Sequence, residues 1–157
     1  MSMRADADLI VKQAVALVAD ERDPIANAAN LAALLYHELP DINWAGFYFV
    51  RDDELVLGPF QGRTACTRIG FARGVCGTAW QLGRTIVVPD VHAFEGHIAC
   101  DAASNAEIVV PIIAPDGSVA GVLDVDSPSL HRFDEGDRER LEAVVAAFVR
   151  ASDLERR

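Results

Sequence analysis

The 157-residue sequence has no apolar run near the roughly 20 residues that a bilayer-spanning helix needs. A membrane-spanning helix is therefore not expected, and the acidic charge of the chain makes a membrane a poor partner. Its first residues, Met1-Ser-Met-Arg-Ala-Asp-Ala-Asp8, lack the apolar core of a signal peptide, so a cytoplasmic location is expected. Basic residues are scarce, 14 against 24 acidic ones, which leaves a net charge of −10. A surface this acidic repels phosphate backbones and anionic lipid, and nucleic acid is excluded as a partner on the same ground. A cationic ligand stays open. Three cysteines are an odd number and cannot form a closed disulfide framework. In a reducing compartment they read instead as free, catalytic or redox-active thiols. There is no internal repeat and no low-complexity linker. Phosphate cradles are missing too: Gly58-Pro-Phe-Gln-Gly-Arg63 and Arg73-Gly-Val-Cys-Gly77 match neither glycine-rich phosphate motif and read as loop glycines.

What is present is ample apolar material, 51% of the chain, which suits one domain spanning residues 1–157. An imperfect apolar stripe (Leu9, Ile10, Val15, Leu17, Val18) predicts a helix over 5–20. Asp23 as N-cap and Pro24 at the first position open a second helix, which Pro40 stops. Residues 43–50 and 54–60 read as two strands joined by the turn Arg51-Asp52-Asp53. A loop or ragged strand follows over 61–73, then a short helix closed by Gly83 and a strand over 85–88. Two more strands, 107–114 and 118–126, flank the turn Pro115-Asp116-Gly117. Asp134 caps a final helix. Hairpin-linked strands with helices at the ends imply an α+β domain with an antiparallel sheet. This order of elements resembles a GAF domain. The resemblance implies a central antiparallel β-sheet, helices packed behind it and a loop-roofed ligand pocket in front.

The segment Val91–Glu107 concentrates the chemistry. It holds His92, His97, Cys100 and three carboxylates, and it reads as one long folded loop between two strands. Loops of this length in compact domains are usually functional or disordered. Val91, Phe94, Ile98 and Ala99 supply apolar side chains to bury, which argues for order. Cys100 lies in polar surroundings, where a nearby donor or cation would favour the nucleophilic thiolate. Cys66 lies in another loop and could meet Cys100 above one pocket, although nothing in the spacing requires it. Cys76, beside Val75 and Ala79 on the short helix, reads equally as a small buried hydrophobe or a redox group. His92, His97 and Cys100 are zinc ligand types, but their spacing matches no strong zinc motif. The two histidines are expected instead to pin the loop by hydrogen bonds.

Asp124 and Asp126 lie two apart on a strand, so both point to the face that Val122 shares. Carboxylates are poor strand formers, and two on one face need a reason. Either they sit at a solvated strand end, or they wall a pocket that binds an ammonium or holds a proton. Glu107, at the edge of the neighbouring strand, could join them, and crowded carboxylates raise one another's pKa. Trp44 is either core or a pocket wall suited to a methyl or thioether group.

Taken together, several segments resemble the free methionine-(R)-sulfoxide reductase family. They are Asn43-Trp-Ala-Gly-Phe-Tyr48, Gly58-Pro-Phe-Gln-Gly62 with Cys66, Gly74-Val-Cys-Gly-Thr78, Asp90-Val-His92, Gly96-His-Ile-Ala-Cys-Asp-Ala-Ala-Ser-Asn105 with Glu107, and Gly121-Val-Leu-Asp-Val-Asp-Ser127. The resemblance implies Cys100 as catalytic cysteine, Cys66 as the resolving one, and Cys76 as a third family cysteine. It further implies Glu107, Asp124 and Asp126 as substrate-binding carboxylates and Trp44 as the wall for the substrate methyl group. It implies free methionine sulfoxide as substrate, a thioredoxin-type reductant, and no metal or organic cofactor. A homodimer is expected by analogy with other GAF domains. The rival readings are a non-catalytic GAF domain that senses a small ligand and a thiol-based redox sensor. The acidic strand face argues against a phosphate-bearing ligand.

Overall fold

The computed structural model describes residues 8–98, 100 and 103–154. Helix α1 (Leu9–Val18) starts where the Asp8 side chain accepts hydrogen bonds from the N–H groups of Ile10 and Val11. It is shorter than the expected 5–20, of which residues 5–7 lie outside the described residues. Its buried face is Val11, Ala14 and Val18, whereas Leu9, Val15 and Leu17 are exposed. Helix α2 (Pro24–Glu38) begins as expected, with Asp23 accepting from Ile25 and Ala26 N–H. It ends because Pro40 disfavours the helical region for the residue before it, and Leu39 is extended at φ −82°, ψ 127°.

Six strands follow: β1 (Trp44–Arg51), β2 (Glu54–Gly62), β3 (Arg68–Gly70), β4 (Ile86–Val88), β5 (Ala106–Ile113) and β6 (Val119–Ser127). All neighbours pair antiparallel, in the order β3-β2-β1-β6-β5-β4. The segment 61–73 is thus part strand: β2 runs on to Gly62, and β3 pairs with its start. Helix α3 (Gly74–Leu82) ends on Gly83 in the left-handed region, as the sequence predicts. Helix α4 (Glu135–Ala151) opens with a capping box between Asp134 and Asp137.

Strand alternation sorts the side chains onto two faces. Ala45, Phe47 and Phe49 of β1, Ile108, Val110 and Ile112 of β5, and Leu123 and Val125 of β6 face α1, α2 and α4. Leu31, Leu35, Leu141 and Phe148 complete that core. The opposite face carries a second cluster with Trp44, Tyr48, Leu55, Val109 and Val122. Helix α3 covers part of it through Val75, Cys76 and Ala79. The front is therefore roofed by a helix as well as by a loop. Amphipathicity shows that a helix must bury one side, but not which face of a sheet it will cover.

Candidate active site

The register brings the acidic residues together. Trp44 on β1 pairs with Asp126 on β6, and Asp126 pairs with Glu107 on β5, so the three form one row across the sheet. The next row is Gly46, Asp124 and Val109. These rows face the front and floor a cavity that is partly open to solvent. Cys76 reaches the cavity from α3, and His97, Ile98, Cys100 and Ser104 reach it from the loop. Every residue expected at the site except Cys66 lines this cavity, and Cys66 is joined to it by a disulfide to Cys100 with Cα atoms 5.4 Å apart.

The aromatic wall is held from several sides. The Trp44 ring stacks on Phe60 at 5.2 Å and on Tyr48 at 6.0 Å between centroids. A Cβ at Gly46 would fall 2.7 Å from Trp44 Cη2, and one at Gly62 would fall 2.6 Å from Cδ1, so glycine is required at both places. Trp44 Nε1–H donates to the Arg63 carbonyl at 2.9 Å, and the Tyr48 hydroxyl donates to the Cys66 carbonyl at 2.9 Å. The wall thus anchors the segment that carries Cys66. Tyr48 was not singled out by sequence. The available signal was its position four residues after Trp44, on the same face of the strand.

The loop is ordered by polar contacts. Asp90 accepts from His92 N–H at 3.0 Å, the His92 ring bonds Asn105 Oδ1 at 3.0 Å, and Asn105 Nδ2 donates to Pro128 O at 2.7 Å. His92 therefore pins the loop through its ring. His97 contributes its backbone N–H, which donates to Phe94 O, while the residue also lines the cavity. Val91 is fully buried and Phe94 half-buried, but Ile98 is exposed and lies over Gly74 at the cavity rim. Ala99, also expected to be buried, falls outside the described residues.

The electrostatics follow from crowding without water. Asp124 is buried beside Asp126 and Glu107, and burial first, then those two charges, push its carboxyl well above the usual carboxylate range. Its Oδ1 has no hydrogen-bond partner among the described residues. Burial, reinforced by Asp124 and Glu107, also pushes the Cys76 thiol up, and its Sγ lies 4.0 Å from Glu107 Oε2. The Tyr48 phenol is raised by burial and by Asp124, so it stays a donor. Arg73 also lines the cavity. The zinc ligand types His92, His97 and Cys100, whose spacing matches no strong zinc motif, do not line one site together, since His92 does not reach the cavity. Among the described residues, the donors close enough to share an ion are those of Cys76, Glu107 and Asp124.

A GAF domain family model matches residues 26–151. Protein YtsP of Bacillus subtilis is 59% identical over 148 residues, covering 93% of this chain and 90% of the relative. The free methionine-R-sulfoxide reductase of Escherichia coli is 54% identical over 131 residues, 83% of this chain and 79% of the relative. The solved structure of free methionine-R-sulfoxide reductase from Neisseria meningitidis, in complex with its substrate, superposes with a TM-score of 0.87 at 49% identity. It covers 90% of this chain and 85% of that one. The chain belongs to the GAF-domain family and, within it, to the free methionine-R-sulfoxide reductases.

Proposed function

We propose that the protein reduces free L-methionine-(R)-sulfoxide to methionine with its own thiols. The observation that carries this reading is a disulfide between Cys66 and Cys100 at a cavity floored by Glu107, Asp124 and Asp126. In the reduced protein the Cys100 thiolate attacks the sulfoxide sulfur. A sulfoxide oxygen leaves poorly unless protonated, and Asp124, which holds its proton to higher pH than an ordinary carboxylate, supplies an acid beside it. Cys100 Sγ bonds to the substrate sulfur as the protonated oxygen departs as water, the second proton coming from solvent. Water then attacks Cys100 Sγ and returns a proton to solvent, the S–S bond breaks with its electron pair going to methionine, and Cys100 is left two electrons more oxidised as a sulfenic acid. The Cys66 thiol then condenses with it, forming the disulfide and releasing water. A dithiol of the thioredoxin type restores both thiols by exchange and leaves as a disulfide.

The remaining groups fit a free amino acid. The carboxylates suit its α-ammonium, the Arg73 guanidinium suits its α-carboxylate, and the Trp44 ring suits its terminal methyl. Cys76 is not part of the disulfide and lies deeper, against Glu107. It acts here as a packing group rather than as the attacker. The homodimer reading rests on analogy with other GAF domains.

The test is a single-turnover assay. Reduced protein mixed with the free R sulfoxide should release close to one methionine per chain, with mass spectrometry locating the new disulfide at Cys66–Cys100. A thioredoxin system should then sustain turnover. Binding of the sulfoxide without methionine release would favour a sensor instead.

A further inference from the structure

The floor of the cavity contains a donor set that the reduction does not use as a unit. Cys76 Sγ on α3, a Glu107 oxygen on β5 and an Asp124 oxygen on β6 all lie within 4.8 Å of one another. The three residues are 5%, 8% and 6% exposed. Asp124 Oδ1 is buried with no hydrogen-bond partner among the described residues, and its residue lines the cavity. We propose that Cys76, Glu107 and Asp124 form a site for a thiophilic divalent cation of the zinc and cobalt class, which occupies the place of the substrate ammonium and so excludes substrate.

The donor chemistry selects the ion. Magnesium and calcium take oxygen ligands and want six or more of them, whereas zinc accepts one thiolate with carboxylates in a four-coordinate site. Tetrahedral donors around zinc lie about 3.3–3.8 Å apart, given Zn–O and Zn–S bonds of about 2.0–2.3 Å. The set therefore has to close by no more than about 1.5 Å, within the reach of side-chain rotation. The fourth position faces the cavity and can hold water.

Binding is balanced by two protons. The Cys76 S–H bond and the Asp124 O–H bond break, both protons go to solvent, and a sulfur–metal and an oxygen–metal bond form. Burial, which disfavours an isolated thiolate, does not oppose one whose charge the ion neutralises. The site goes beyond the proposed reaction. The ion is an inhibitor there and takes no part in turnover, so chelation should leave activity intact or raise it.

The disulfide makes a direct test available. The chain has three cysteines, and with Cys66 and Cys100 joined, Cys76 is the one remaining thiol. Co²⁺ added to the disulfide-intact protein should produce a thiolate-to-cobalt charge-transfer band that saturates at one equivalent. Zn²⁺ should remove the band. Free methionine, which carries the same ammonium as the substrate, should weaken cobalt binding more than the same concentration of glycine, which chelates Co²⁺ in solution equally but has no side chain to seat in the cavity. Cys76→Ser should abolish the band, and Asp124→Asn, which keeps the thiol, should weaken binding roughly tenfold or more. No band in the wild-type protein overturns the site, and so does a band that survives Cys76→Ser. Cobalt binding that methionine weakens no more than glycine does overturns the competition. The wild-type arms decide the matter even if a variant folds poorly, and none of them depends on turnover, so failure of the proposed reaction would be seen separately.

Discussion

The Tyr48 hydroxyl, on the central strand β1, donates to the backbone carbonyl of Cys66 at 2.9 Å. One side chain thus belongs to the cavity wall and also holds the chain segment that presents half of the disulfide. A part-buried hydrogen bond of this kind contributes about 1 kcal/mol net. Tyr48→Phe keeps the ring that stacks on Trp44 and removes only the donor. Disulfide closure should slow several-fold, while the first release of methionine falls less. Rapid quenching, with methionine and free thiols counted in the same samples, separates the two steps. Equal losses in both would mean that Tyr48 acts on substrate binding and not on Cys66.

The two bridged cysteines should fail at different steps. Cys100→Ser removes the nucleophile and should abolish even a single turnover. Cys66→Ser should still release up to one methionine per chain. It should then stall with thioredoxin, because the sulfenic acid lacks its internal partner. A dimedone adduct on Cys100, detected by mass spectrometry after that single turnover, would identify the stalled species. Retained turnover in Cys100→Ser would transfer the attack to Cys66 or Cys76.

Much of this site could be read before any coordinates. Period-two alternation put Asp124 and Asp126 on one face, and the caps at Asp23 and Asp134 marked helix starts that the structure bears out. Long-range register was not legible. Glu107 joins Asp126 because β5 pairs with β6, and Trp44 lies in the same row because β1 pairs on the other side. No local pattern encodes that pairing. The meeting of Cys66 with Cys100 has the same origin, since loops at two strand ends come together only when the sheet is built. The exposure of Ile98 was missed for a different reason. An apolar residue in a loop can cover a cavity rim without being buried, and composition does not separate the two.

Asp124 makes stability and function pull in opposite directions. Its carboxyl is held well above the usual range by burial and by Asp126 and Glu107, so the folded state keeps a proton that the unfolded chain releases near pH ~3.9. The stabilisation this gives is complete below that unfolded value and is lost as pH rises through the folded value. Asp124→Asn removes this dependence. The variant should show a flatter profile of Tm against pH and should be the more stable protein above that window. Its kcat should fall by about 10²-fold or more, because the acid for the sulfoxide oxygen is gone. Parallel Tm profiles for the two proteins would mean that Asp124 is ionised in the fold and cannot be that acid.

The last prediction concerns the size and charge of the substrate. Glu107, Asp124 and Asp126 gather at the floor of a cavity whose roof is α3 and the loop ending at Asn105. On the proposed reading, a free amino acid enters whole and sets its ammonium against these carboxylates. Methionine sulfoxide inside a peptide has no ammonium there, and its flanking backbone must pass through the roof. Capping the free amino acid as its N-acetyl amide removes the charge and adds only small groups, so it isolates the electrostatic part of the preference. A buried site built for a charged partner is left with unpaired groups when the partner is absent, and such sites discriminate by factors of about 10⁴ or more. The cavity here is partly open, and water can reach some of those groups, so a smaller loss of about 10²-fold in kcat/KM is expected. Both compounds should be assayed as the R epimer with the same reductant. Comparable kcat/KM for the two would sink the ammonium role of the carboxylates and leave the chemistry of Cys100 and Cys66 standing. A large loss confined to KM would mean that the ammonium contacts are made equally before and during the reaction, whereas a loss shared with kcat would tie them to positioning the sulfoxide against Cys100.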